Sequence, residues 1–106
     1  MTPSDPLTEH ELDRLVSIAI RSAEALADEL SPAADDAWRD VLGYERQLAA
    51  VTSPESVPGG LARVGGVAAA LAAGDSAQAA ELAARYLAEP ALPDERREAI
   101  LRLLEP

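Results

Sequence analysis

His10 is the only histidine of the chain, and with Glu11 it opens like the H-E-x-x-H zinc motif. That motif places two imidazoles one helical turn apart so that both reach one ion. Here the second ligand position is Arg14, a permanent cation, so His10 is expected as an exposed first-turn residue and no metal is expected. There is no cysteine, which removes disulfides, thiolate metal sites and a cysteine nucleophile. With no lysine either, little general-base or nucleophilic chemistry is left beyond carboxylates, and an enzyme is not expected. Gly59-Gly60 and Gly65-Gly66 match neither phosphate-loop nor dinucleotide spacing, so no cofactor is expected.

Contact chemistry is better supplied. Glu24, Asp28, Glu29, Asp35, Asp36 and Asp40 gather around one stretch of chain. Glu24–Asp28 and Asp36–Asp40 are like charges at i,i+4 and oppose a helix by about 0.3 kcal/mol each. Calcium loops need a glycine turn and di-iron bundles need Glu-x-x-His pairs; neither is present, so a basic partner or plain solvation accounts for the acids. Trp38 and Tyr44, with Arg39 and Arg46 close in sequence, suit an interface hot spot. The partner-binding candidates are therefore Trp38, Tyr44, Asp28, Asp35, Asp36 and Asp40. For Trp38 the alternative is that it fills an alanine-rich core.

The whole chain has 106 residues, the length of one domain, with 19 acids against nine arginines and a net charge of −10. Residues 1–53 hold a net −7 and residues 54–106 a net −3. Nucleic acid and anionic membrane surfaces need clustered cations, and neither is expected as a partner. No stretch is apolar and long enough to cross a bilayer, and MTPSDPLTEHELD lacks the basic and apolar regions of a secretory signal. A cytoplasmic protein is expected.

Helices must position these residues, since no segment alternates with period two for long enough to form a strand. Two prolines mark residues 1–7 as a flexible lead-in to one helical domain, 8–106. Thr8 and Glu11 fit a capping box, Leu7 and Leu12 a hydrophobic staple, and an apolar stripe runs from Leu12 to Leu30, giving a helix over 9–30. Ser31-Pro32 reads as the cap and first position of a second helix, 33–51, whose apolar face is interrupted by Glu45. The first two helices should form a long antiparallel hairpin. Thr52–Gly60 reads as the longest break. A third helix follows over 61–73, in which Gly65-Gly66 permits close approach of another backbone or marks a kink. Gly74 stops it. Asp75 and Gln78 open a fourth helix, 76–88, and a fifth covers 94–104. The expected fold class is all-α.

Two stretches resemble known families. Leu71-Ala72-Ala73-Gly74-Asp75-Ser76-Ala77-Gln78-Ala79-Ala80-Glu81-Leu82, with Pro90, resembles the turn and second-helix start of a tetratricopeptide hairpin, with glycine at the turn and a small residue five positions on. It departs at the aromatic positions and has no second copy, and it implies a helical hairpin. Gly74-Asp75-Ser76 is similar to the G-D-S of acyl and peptidyl carrier proteins, and WRDVLG (38–43) to their first helix. That resemblance implies a phosphopantetheine arm on Ser76, although Ala77 stands where the family has a bulky apolar residue and Gly43 lies too far from Gly74.

The function expected from the sequence is a small acidic helical protein–protein interaction module, an adaptor, accessory subunit or inhibitor-type partner, docking by a helix face on a basic protein. Ile18 and Ile20, outside the main stripe, suggest a homodimer through the first hairpin. The alternative is a carrier-like or small-ligand-binding helical domain, with small alanines lining a cavity between helices.

Overall fold

The computed structural model describes residues 7–106 and folds them into five helices: α1 Glu9–Asp28, α2 Ala34–Ala50, α3 Val57–Ala72, α4 Ser76–Leu87 and α5 Asp94–Leu104. There is no strand among the described residues, and the fold is all-α. Apart from Leu7, the expected lead-in lies outside the described residues. No described helix is long and apolar enough to cross a membrane.

The capping box forms as read. Thr8 Oγ1 accepts from the Glu11 amide at 3.1 Å, and the Thr8 amide donates to Glu11 Oε1 at 3.3 Å. α1 ends two residues earlier than its stripe suggests. Leu30 turns into the left-handed region at φ 55°, so that the Ser31 amide closes back on the Leu26 carbonyl at 2.9 Å. This is the helix ending usually given to glycine.

Ser31 does not cap α2. Its Oγ accepts from the Ala33 amide at 3.2 Å and its carbonyl from the Ala34 amide at 3.1 Å, so the serine closes an isolated turn. α2 then starts with Ala33 at its N-cap and no side-chain cap bond. Asp35 and Asp36 in its first turn complement the helix dipole instead.

α3 begins four residues before the expected 61. Ser56 Oγ accepts from the Gly59 amide at 3.0 Å, and Pro58 sits in the first turn, where its missing N–H costs nothing. Pro-Gly-Gly is therefore a helix start. Gly59 is required there, because a Cβ would fall 1.8 Å from the Ser53 carbonyl oxygen. Gly74, at φ 77°, ends this helix with the same closing bond found after α1, Asp75 amide to Ala70 carbonyl at 2.9 Å. Asp75 then caps α4 through the Gln78 amide at 3.0 Å.

α3 is the central element. α2, α4 and α5 each pack on it, whereas α1 packs on α2. Its buried face is Ala62, Val67, Ala69 and Ala70, and such small side chains let neighbouring axes come close. Leu12, Val41, Val67, Leu82 and Ile100 are the largest fully buried side chains. Arg97 of α5 ties off the end of α4, donating to the carbonyls of Leu87, Glu89 and Leu92. Of the two isoleucines off the stripe, Ile20 packs against the core and Ile18 is exposed.

Candidate functional site

The carboxylates of the α1–α2 turn are all exposed: Asp28, Asp35, Asp36 and Asp40. Asp36 pairs with Arg39 at 2.7 Å, with both side chains largely in solvent. Trp38 and Tyr44 are half-buried and pack against the core, which is the filler role for Trp38. Tyr44 and Asp40 come together with Ile18 in a shallow groove of about 180 Å³ between α1 and α2, which Trp38 does not line. Ser76 is the exposed first residue of α4.

A larger concavity lies elsewhere. α2 and α4 both rest on α3 without packing on one another, and the space between them is a cleft of about 630 Å³. Gly43, Ala49 and Ala50 supply its apolar wall on α2, beside Arg46 and Gln47. Arg63 of α3, Arg85 and Tyr86 of α4, and Glu89 just beyond α4 complete it.

Its floor is rigid. Arg63 is 5% exposed, the sole charged residue of an otherwise apolar helix. Its Nε donates to Glu89 Oε1 at 2.6 Å and its Nη2 to Glu89 Oε2 at 3.1 Å, a bidentate pair. Nη1 donates to the Gly59 carbonyl at 3.0 Å and Nη2 also to the Thr52 carbonyl at 3.2 Å. The guanidinium lies 5.7 Å from the Tyr86 ring centroid, a cation–π distance. These bonds hold together the start of α3, the segment before it and the end of α4.

The rim is solvent-exposed. Arg46 is exposed and makes no ion pair among the described residues. Arg85 makes a loose, exposed pair with Glu81 at 3.5 Å. Burial pushes the Tyr86 phenol above its usual value, while Arg63, Arg46 and Arg85 pull it down and Glu89 pushes it up; the three arginines line the same cleft as the ring. The result is a cationic concavity on a chain of net charge −10. Guanidinium forks match carboxylate and phosphate oxygens.

Behind the cleft the glycine pair of α3 seats two side chains. A Cβ on Gly65 would fall 1.6 Å from Glu45 Oε2, so the carboxylate occupies the place of a side chain. A Cβ on Gly66 would sit 3.8 Å from Tyr86 Cε2 and 3.9 Å from Glu45 Cβ. The close approach expected at Gly65-Gly66 is thus made by side chains of α2 and α4 rather than by a backbone. Glu45 is 6% exposed, and burial, followed by the negative charge of Asp13, pushes its carboxyl from 4.5 up to about 7.

Arg63, Tyr86, Arg85 and Glu89 did not stand out as a site in the sequence. The available signals were Arg63 alone within an apolar helix and Glu45 interrupting an apolar face. Among the described residues no three metal-ligating side chains gather. No family model, no curated protein and no solved structure matches this chain.

Proposed function

We propose that this chain is a binding module rather than a catalyst, and that its site is the α2–α4 cleft, which receives a carboxylate or phosphate group between Arg46 and Arg85. The observation that carries this reading is the placing of three arginines around one concavity of a strongly acidic chain. Excess negative charge repels extended polyanions, but at physiological salt that field decays over about 8 Å, so a compact anion still meets the local arginines. The wall of Gly43, Ala49 and Ala50 suits an apolar stem on that anion.

Benzoate, an anion on an apolar ring, and an acetylated acidic peptide are the probes, followed by amide chemical shifts. Benzoate is expected to move the amides of 43–50 and 85–89 and to lose this effect in Arg46→Ala/Arg85→Ala. Stronger binding of the peptide assigns the anion to a protein partner, stronger binding of benzoate to a free small molecule. Shifts confined to 28–40, or none with either probe, reject the cleft.

A second reading is favoured by one observation. Leu30 is 90% exposed at the tip of the first hairpin, among Asp28, Asp35 and Asp36. In this reading an apolar knob ringed by acids docks on a basic protein, the acids steering its approach. Asp35→Arg/Asp36→Arg should then weaken binding to a basic amphipathic peptide and flatten its salt dependence. Unchanged affinity at low salt leaves the tip a solvated surface.

A further inference from the structure

Tyr86 is 7% exposed, yet its hydroxyl makes no hydrogen bond among the described residues. Among those residues no buried side-chain polar atom lacks a partner, so this oxygen is not sealed inside: it opens on the cleft that its ring lines. It sits at the back of that cleft, since a Cβ on Gly66 would come within 3.9 Å of it, whereas Arg46 and Arg85 are exposed at the rim. The groups around it are engaged or unsuited. Glu89, the one carboxylate lining the cleft, has both oxygens bonded to Arg63. The three arginines carry donors only. The Arg63 guanidinium, 5.7 Å from the ring centroid, draws on the ring's electrons and leaves the hydroxyl a better donor than acceptor. Burial also keeps the proton on the phenol.

We infer that the ligand of the cleft is a small anion whose apolar body carries a neutral hydrogen-bond acceptor, and that Tyr86 selects it by donating to that acceptor. This rests on the cleft being the anion site. In that pose the charged group stays with Arg46 and Arg85 at the rim, and the body runs inward past Gly43. Gly43 leaves room for it: a Cβ there would meet nothing within 4 Å, whereas each glycine of α3 has a neighbour within that distance. Glycine inside a helix costs stability against alanine, and no packing partner requires this one. A volume of about 630 Å³ is that of a small-molecule site, where apolar walls are combined with a few placed polar groups. A ketone, ester or amide carbonyl supplies the acceptor. A ligand without one strips the hydroxyl of water and leaves it unpaired.

The probes are 3- and 4-acetylbenzoate, which carry such a carbonyl, and the matching isopropenyl benzoates, which have the same shape with a methylene in place of the oxygen. By calorimetry the tighter acetyl isomer is expected to bind the native protein about tenfold more strongly than its isopropenyl counterpart, the size of one neutral hydrogen bond. This comparison needs no variant. Tyr86→Phe then removes the hydroxyl and keeps the ring; since that hydroxyl has no partner within the fold, the variant should keep the native Tm. In it the preference for the acetyl compound should vanish, with binding of plain benzoate unchanged. Equal affinity of the acetyl and isopropenyl compounds for the native protein, or a preference that survives in Tyr86→Phe, overturns the selection and leaves the cleft standing. Binding of none of the benzoates overturns the cleft reading and the selection together.

Discussion

Glu45 of α2 and Gly65 of α3 fit so closely that the carboxylate takes the space of the missing side chain, 1.6 Å from where a Cβ would be. The atom in the way is the far end of a flexible side chain, so Gly65→Ala is expected to push the Glu45 carboxylate aside rather than to break the fold. The helix gain of about 1 kcal/mol for alanine over glycine should offset much of that displacement, and the single variant should change stability little. With Glu45→Ala in the same chain the obstruction is gone, and the gain should appear in full. Urea denaturation of the two single variants and the double one gives the coupling, and additive effects would mean that the two residues do not meet.

Stability should fall with rising pH because of Glu45. Its carboxyl titrates at about 7 in the fold and at 4.5 when exposed, so between those values the folded chain holds a proton that the unfolded chain has lost. The fold therefore weakens across pH 4.5–7 by about 3 kcal/mol from this group, and the loss levels off above pH 7. Glu45→Gln lacks that component. The difference between the two denaturation profiles should grow from pH 4.5 to 7 in favour of the variant, and a constant difference would assign Glu45 an ordinary carboxyl.

Leu30 holds a left-handed backbone conformation with 90% of its surface exposed. Replacing it by glycine removes the steric conflict of a side chain at positive φ and loses little burial, so Leu30→Gly should stabilise by about 1 kcal/mol. For a domain of this size that is a rise in Tm of about 4 °C or more, measurable by calorimetry. A fall in Tm would show that the leucine is packed.

Arg63 should be among the least replaceable residues. Arg63→Ala strands the carbonyls of Gly59 and Thr52 and leaves Glu89 without its cation. Glu89→Ala leaves a buried guanidinium unpaired. Each is expected to cost about 3 kcal/mol by chemical denaturation, with the double variant costing much less than the sum.

How far the sequence disclosed this molecule depended on distance along the chain. The Thr8–Glu11 box, the Asp75 cap, the Gly74 stop and the Glu81–Arg85 pair are local, and each could be read from spacing of five residues or fewer. Helix ends failed where one local signal had two uses. Serine before proline closed a turn at Ser31, and proline before glycines opened a helix at Pro58. The cleft was illegible for a different reason. Arg63 and Glu89 are 26 residues apart, and Arg46 and Arg85 line one cleft only because α3 carries both of their helices. Periodicity shows which face of a helix is buried, but not which neighbour buries it. Glu45 was visible as an interruption, and Gly65 as a weak point, yet nothing in either stretch says that one fills the other.

The packing order of the helices bears on how the chain opens and closes. α1 packs on α2 and on none of the others, and every packed pair of helices is consecutive in the chain except α3 and α5, which are one helix apart. Such low contact order favours fast folding, on the scale of helical bundles. It also makes α1 an outlying foldon: hydrogen exchange should find its amides opening together while α2 to α5 stay protected. When α1 lifts away, Asp13 leaves with it, and Glu45 loses the one neighbouring charge that holds its proton in place.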